Sequence, residues 1–254
     1  MGVVAVTGSA GGIGGAIKGR IEMAGHRVIG VDVRDAEVVA DLGTADGRAA
    51  ACAGIAAECG GPLDGLVVAA GIGGSTDAPS SMVARINYFG AVGLLEGLHD
   101  RLVEGELEAA VAISSNSATA MPVTDPTLVD QCLAGDEDGA AATAETMDGE
   151  AVYAQAKLAL ARKVRRLAVD WAPGVRVNAV APGPVLTSLT RAALEHPVTG
   201  DLIRAYPIPM DRWGEPAEIA EAVWFLLSPQ SAWTTGTVLF VDGGTDALLG
   251  PDRL

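Results

Sequence analysis

The 254-residue chain predicts an α/β protein, a doubly wound seven-stranded parallel sheet with helices on both faces. Three observations lead there. Short runs rich in Val and Ile recur between longer Ala- and Leu-rich segments along the whole chain. Those short runs are apolar at nearly every position rather than at every second one, the pattern of strands covered on both faces. The first of them passes directly into a glycine-rich turn, VVAVTGSAGGIG, that opens a helical segment, as the leading strand–turn–helix unit of such sheets does.

The strands are expected at Val3–Thr7, Arg27–Asp32, Val38–Asp41, Leu66–Ala70, Ala109–Ser114, Val175–Val180 and Val238–Val241. Helices fill the intervals at Ile13–Ala24, Thr44–Glu58, Met82–Glu104, Glu150–Trp171 and Pro216–Leu227. The last begins with Pro216 and carries Glu215 and Glu218 near its start, as a helix N-terminus prefers. One interval breaks the rhythm. From Thr124 to Glu150 the sequence is rich in carboxylates and has no basic residue, which reads as a short helical excursion with a solvated acidic face, inserted at about 124–150. No linker or low-complexity stretch interrupts the chain, so residues 1–254 are expected to form one domain.

Composition narrows the function. A hydrophobic share of 49% with only 4% aromatic residues and 33 glycines suits close packing of helices on a sheet. A formal charge of −15 repels phosphate backbones and anionic lipid, which argues against nucleic acid and membrane partners. No apolar run reaches the roughly 18 residues of a membrane span. Met1-Gly2 leads into a core strand without a charged leader, and Cys52, Cys59 and Cys132 show no metal or disulfide spacing, so a cytoplasmic protein with free thiols and no metal is expected. His26, His99 and His196 stand without partners at metal or triad spacing and are expected to be structural or exposed.

The glycine turn places Gly8 at its tight bend, Gly12 where a pyrophosphate approaches the helix N-terminus, and Ile13 and Gly14 at the start of that helix, with Gly14 allowing close packing on the strand. Asp32 ends the second strand where an acidic side chain accepts hydrogen bonds from an adenosine ribose. Its charge disfavours a 2′-phosphate, and Ser9, Ala10 and Val33 supply no compensating cation, although Arg34 is near. NAD is therefore expected rather than NADP. Asp41 and Leu42 end the third strand, at the edge of an adenine site or, for Asp41, as a cap of the following helix.

Tyr153 and Lys157 are four residues apart within a helical segment and so share a face. An ammonium beside a phenol, reinforced by the positive nicotinamide ring of an oxidised cofactor, lowers a pKa that is ordinarily about 10 towards the working pH. That suits proton transfer in alcohol and ketone chemistry.

Four features thus occur in chain order: TGSAGGIG, Asn87 in INYFGA, Ser115 in AISSNSA, and YAQAK from Tyr153 to Lys157. Together they resemble the short-chain dehydrogenase/reductase family of Rossmann-fold enzymes. The resemblance continues through VRVNAVAPGPVLT and LFVDGG and so spans nearly the whole chain. It implies Tyr153 as general acid/base and Ser115 as the donor that holds the substrate oxygen. Lys157 binds the nicotinamide ribose and tunes Tyr153, and Asn87 holds a water that links Lys157 to solvent. Ser115 is preferred to Ser114 because the second serine acts in the family motif and because neighbours on a strand point opposite ways; Ser114 is the fallback. Gly71 falls at the cofactor-side alanine-glycine after the fourth strand. Pro182, Gly183, Val185 and Thr187 match the loop that contacts the nicotinamide carboxamide, or form a plain proline turn. The stretch 186–214 corresponds to the loop over the substrate, whose Leu186, Leu189, Leu194 and Met210 line an apolar pocket or the core of a short helix.

Two departures stand out. The family's double asparagine before the alanine-glycine is replaced by Val68-Ala69, removing a hydrogen-bonding brace and putting the local strand order in question. The acidic insertion is longer than usual and, with DVRDAEVVADL and NYFGA, is similar to the bacterial 3α-hydroxysteroid dehydrogenase/carbonyl reductase branch, in which the insertion blocks one helix-pair interface and favours a homodimer over a homotetramer. The expected activity is NAD-dependent interconversion of a secondary alcohol and a ketone on a small hydrophobic, cyclic or steroid-like molecule. Broad carbonyl or hydroxyacyl reduction and a non-catalytic dinucleotide sensor are the alternatives. A sensor has no need of Asn87, Ser115, Tyr153 and Lys157 together, and enoyl reductases space their tyrosine and lysine more widely.

Overall fold

The computed structural model describes residues 2–75, 77–187, 190–191, 194, 201 and 204–252. Seven strands, β1 (Val3–Thr7), β2 (Arg27–Asp32), β3 (Val38–Val39), β4 (Gly65–Val68), β5 (Ala109–Ile113), β6 (Arg176–Pro182) and β7 (Val238–Val241), form one parallel sheet in the order β3-β2-β1-β4-β5-β6-β7. The chain starts at β1, winds out to β3, then returns to the other side of β1 at β4. That reversal leaves a crevice beyond the carboxyl ends of β1 and β4, where open α/β sheets bind ligands.

The two-residue period of the strands divides the core. Ala5, Leu66, Val68, Ala110, Ala112, Val177 and Ala179 face one layer of helices. Val4, Val6, Val67, Val111, Ile113 and Val180 face the other. The first layer contains α2 (Ala45–Cys59), α4 (Ala91–Val103) and α8 (Gly149–Asp170); the second contains α1 (Gly12–Met23) and α9 (Pro216–Leu227). Fully buried Ala156 and Ala159 let α8 lie close to the small side chains of β5. The edge strand β7 departs from the expected cover on both faces, since all four of its residues remain partly exposed.

Helix ends follow local chemistry. Thr44, not Asp41, caps α2, accepting from Gly47 N at 3.0 Å, while Asp41 accepts from Gly43 N at 2.9 Å within the preceding turn. Glu215 and Glu218 form a reciprocal capping box with Pro216 at the first turn of α9. At its other end, Arg176 donates to the carbonyls of Leu226 at 2.8 Å and Leu227 at 3.0 Å, a cation placed on the negative end of a helix.

The helix expected at Met82–Glu104 is interrupted. It is built from α3 (Ser80–Ala84), a π-helical turn (Arg85–Gly90) and α4. Asn87 Nδ2 donates to Val83 O at 2.9 Å and Ile72 O at 2.8 Å, a side-chain intrusion of the sort that accompanies such wide turns. The insertion forms two helices, α6 (Thr127–Ala134) and α7 (Glu137–Ala144), after the short α5 (Ser117–Ala120). Its apolar side, Leu128, Val129, Cys132, Ala140 and Ala144, is buried in the core. A short α10 (Thr245–Leu249) ends the fold. Among the described residues, no helix is long and apolar enough to cross a membrane.

Candidate active site

A cleft of about 830 Å³ runs along the carboxyl edge of the sheet, from Asp32, Asp41 and Leu42 at one end, past the glycine turn, to Asn87, Tyr153, Lys157 and Thr187 at the other. Gly8, Gly12, Ile13, Gly14 and Gly71 line it between. The sequence-predicted residues Ser115, Pro182, Gly183 and Val185 are not among those that line this cleft.

The glycine turn is shaped by close approach. Gly8 has φ +70, and its N–H donates to Val31 O at 2.8 Å, tying the turn to β2. A methyl at Gly14 would lie 2.0 Å from Gly8 O, so no side chain fits there. Around Gly11, which precedes the first residue of α1, there is open space. The N-terminus of α1 has no side-chain cap, which leaves its first N–H groups to an anion. Asp32 accepts from Ala10 N at 3.0 Å and from Val33 N at 2.7 Å, so its carboxylate also holds the turn in place.

Where the asparagine brace is missing, Thr7 takes its place. Its hydroxyl accepts from both Ala69 N and Ala70 N at 2.9 Å. The strand order through β4 is consequently undisturbed. This residue escaped the sequence reading, although a hydroxyl at the end of an otherwise apolar strand, directly before Gly8, was a visible signal. Asn116 also escaped it. It follows Ser115 and binds Pro182 O through its N–H at 2.9 Å, while its side-chain Nδ2 is buried without a hydrogen-bond partner.

At the far end, the Ser115 hydroxyl sits beside the Tyr153 phenol and favours its ionised form, and it accepts from Ser117 Oγ at 2.9 Å. Ser114 is engaged elsewhere, donating to Lys157 O at 2.9 Å. Lys157 is 3% exposed, donates to Ile113 O at 2.8 Å, and lies 5.7 Å from the centre of the Tyr153 ring. Burial lowers its pKa to about 8. The expected lowering of the Tyr153 pKa is not found in the chain alone. Burial raises it, and the neighbouring Ser115 hydroxyl only opposes that rise. The pull expected from Lys157 is absent because the ammonium points to the end of β5 rather than at the phenol oxygen.

Asn87 is fully buried, and its Oδ1 has no partner. This atom and Lys157 Nζ converge on Gly71, where an added methyl would lie 2.6 Å from the first and 3.4 Å from the second. An unpaired buried acceptor beside a buried ammonium leaves room for a polar group between them. Thr187 caps the segment that follows it, accepting from Thr190 N at 3.2 Å, and its methyl lies 3.7 Å from a Cβ built at Gly12. Val185 pairs with Gly214, and Gly183 packs so tightly on Asp242 that a Cβ would come within 2.6 Å. Of the expected substrate loop, Leu186, Leu194 and Met210 are described, with Met210 exposed, whereas Leu189 lies outside the described residues, as does His196.

The arrangement fits a dinucleotide. The cleft is of the size that small-molecule sites occupy, roughly 300–1,000 Å³. Its middle is a side-chain-free cradle at a helix N-terminus, and the acidic residue at one end is separated by that cradle from a tyrosine–lysine–serine group at the other. A site so built belongs to the dinucleotide-dependent oxidoreductases.

Comparison with known proteins agrees. Residues 139–246 match a family model described as enoyl-(acyl carrier protein) reductase. The 3α-hydroxysteroid dehydrogenase/carbonyl reductase of Comamonas testosteroni is 40% identical over the full length of both chains. The galactitol 2-dehydrogenase of Cereibacter sphaeroides is 32% identical over 94% of this chain and 93% of its own. Among solved structures, the 3α-hydroxysteroid dehydrogenase of Pseudomonas sp. B-0831, complexed with NADH, superposes with a TM-score of 0.95 and 45% identity, over 99% of this chain and all of the other. The chain belongs to the short-chain dehydrogenase/reductase family.

Proposed function

We propose that this protein is an NAD-dependent dehydrogenase/reductase that interconverts a secondary alcohol and a ketone on a small hydrophobic substrate of steroid-like shape. The observation that carries this reading is the Tyr153 phenol beside the Ser115 hydroxyl, with the buried Lys157 four residues on, where Tyr153 and Lys157 line the dinucleotide cleft. The bound nicotinamide supplies or accepts the hydride. Ser115 and Tyr153 hold the substrate oxygen between them, and Tyr153 gives that oxygen a proton in reduction or removes it in oxidation. Lys157 orients the cofactor ribose and favours the ionised phenol once the positive ring is in place. Asn87, through its unpaired Oδ1, holds a water that carries the proton between Lys157 and solvent.

Asp32 supports NAD over NADP, since a carboxylate already engaged by Ala10 and Val33 repels a second phosphate. The substrate class rests on the named relatives and on Leu186, Leu194 and Met210 around the expected loop. Pro182, Gly183, Val185 and Thr187 form the nicotinamide side of the site, and residues 1–254 act as one dinucleotide-binding domain. The exposed edge of β7, with Trp233 fully exposed and Phe225 at 45%, supports a homodimer or homotetramer. The free thiols of Cys52, Cys59 and Cys132 suit a cytoplasmic setting.

The test is absorbance at the reduced-cofactor band with NAD or NADP and a panel of secondary alcohols, from steroids and terpenols to short hydroxyacyl compounds. NAD-dependent turnover is expected, fastest on the ring alcohols. Turnover with NADP alone, or tight NAD binding without reaction on this panel and its ketones, would overturn the reading.

A further inference from the structure

The acidic insertion does more than present a solvated face. Glu137, the first residue of α7, binds two arginines that stand behind neighbouring turns bordering the dinucleotide cleft. It binds Arg48 of α2 through both oxygens, at 2.5 Å to Nη2 and 3.3 Å to Nη1, and its Oε1 lies 3.8 Å from Arg85 Nε. Arg48 is only 12% exposed, and its Nη1 also donates to Leu42 O at 3.3 Å. Leu42 lines the adenine end of the cleft. Arg85 is the first residue of the π-helical turn that carries Asn87, another residue lining the cleft.

The packing around this carboxylate leaves little freedom. Gly93 of α4 makes the slot for Arg48, because a Cβ there would come within 2.8 Å of Arg48 Cδ. Gly90, at the end of the π turn, lies against Leu42, 3.2 Å from its carbonyl oxygen to an added Cβ. The β3–α2 turn and the Asn87 turn therefore rest on each other, and a single carboxylate ties the arginine behind each. Arg85 Nε is buried with no hydrogen-bond partner, so its charge is met by Glu137 and, at 3.6 Å, by Asp138. Asp138 is fully exposed, which gives that second contact little weight.

We infer that Glu137 is a positioning residue for the cofactor site: by clamping Arg48 and Arg85 it keeps the Leu42 turn and the Asn87 turn packed against each other, and so fixes the stretch of cleft wall to which both contribute. This rests on the dinucleotide reading above. Loss of the clamp lets both walls relax, which weakens cofactor binding and displaces Asn87 from the proton path.

The experiment compares the full-length protein with Glu137→Gln, Arg48→Lys and, as a control, Asp138→Asn. NADH affinity is read by fluorescence, and kcat is followed against pH with the best alcohol of the panel. Glu137→Gln is expected to raise the NADH Kd about tenfold, the factor that about 1.4 kcal/mol gives, and to move the alkaline limb of the kcat profile. Arg48→Lys keeps the charge but loses the fork, so it should raise the Kd by a smaller factor and serves if the glutamine variant fails to fold. Asp138→Asn should bind NADH as the parent does. If Glu137→Gln and Arg48→Lys lower only the melting temperature, with NADH affinity and pH profile unchanged, Glu137 is a structural tie and the inference falls. If the parent protein itself binds no NADH, the dinucleotide reading fails first and takes this inference with it.

Discussion

The hydroxyl of Ser114 donates to the backbone carbonyl of Lys157 at 2.9 Å, while the ammonium of Lys157 donates to the carbonyl of Ile113 at 2.8 Å. The end of β5 and the middle of α8 are thus cross-linked at one point, and that link sets Ser115 against Tyr153. The two serines divide the work: one binds the helix, the other faces the phenol. Ser115→Ala is expected to lower kcat about 10²–10³-fold, the loss seen when a preorganised donor to a developing oxyanion is removed, with little change in melting temperature. Ser114→Ala should do the reverse, costing about 1 kcal/mol through the lost buried hydrogen bond between strand and helix while keeping most of the activity. Steady-state kinetics and urea unfolding on both variants check the assignment, and equal kinetic losses would refute it.

Tyr153→Phe removes the hydroxyl that the proposed function assigns to proton exchange with the substrate oxygen. Turnover should fall by at least about 10²–10⁴-fold, the usual contribution of a positioned acid or base, with NADH affinity nearly unchanged. Burial raises the Tyr153 pKa in the free chain and the positive nicotinamide ring opposes that rise in the loaded enzyme, so alcohol oxidation by the parent should accelerate as rising pH forms the phenolate. Retained turnover with lost cofactor binding in the variant would move Tyr153 from the chemistry to the cradle.

Much of this arrangement was legible in the sequence because strands and motifs are local. Continuous apolar runs gave all seven strands, although β3 stops at Val39 rather than Asp41, and β4 ends at Val68 rather than Ala70. The glycine turn and the Tyr153–Lys157 spacing were readable from chemistry, whereas Ser115 and Asn87 acquired roles only through family resemblance. What escaped was long-range. The π turn at Arg85–Gly90 depends on where the Asn87 amide finds carbonyls, which an apolar period does not record. The pairing of Glu137 with Arg48 joins residues 89 apart in sequence, so the insertion looked uniformly solvated until the fold closed around it.

Lys157 should cost the folded state stability in a pH-dependent way. The lowering of its pKa from 10.5 to about 8 corresponds to about 3 kcal/mol. Below about pH 8 the folded and unfolded chains both carry the proton, and the folded chain bears the whole cost. Between about 8 and 10.5 the unfolded chain holds a proton that the folded one has released, so stability rises with pH, and above 10.5 the cost is gone. Lys157→Met escapes this cost but strands Ile113 O, at about 1–3 kcal/mol independent of pH. Urea unfolding at pH 7 and pH 10 should show the variant gaining on the parent at the lower pH and losing that advantage at the higher. A difference that does not change with pH would mean that Lys157 is far less buried in solution.

The glycine turn separates folding from binding, and two substitutions show it. Gly14 cannot take a side chain, since its Cβ would sit 2.0 Å from the carbonyl oxygen of Gly8. Backbone has to move, and Gly14→Ala should cost at least about 2 kcal/mol, at the upper range of overpacking penalties. Gly11 has extended backbone and open space around it, so Gly11→Ala should melt within a degree or so of the parent, as surface changes usually do. Its methyl nevertheless projects beside the uncapped N-terminus of α1, where a pyrophosphate approaches the N–H groups. Calorimetric melting and NADH titration on the two variants should therefore diverge: Gly14→Ala loses stability, whereas Gly11→Ala keeps its stability and loses NADH affinity. If Gly11→Ala binds NADH unchanged, the phosphates do not lie at this end of α1, and the cofactor runs through the cleft along another path.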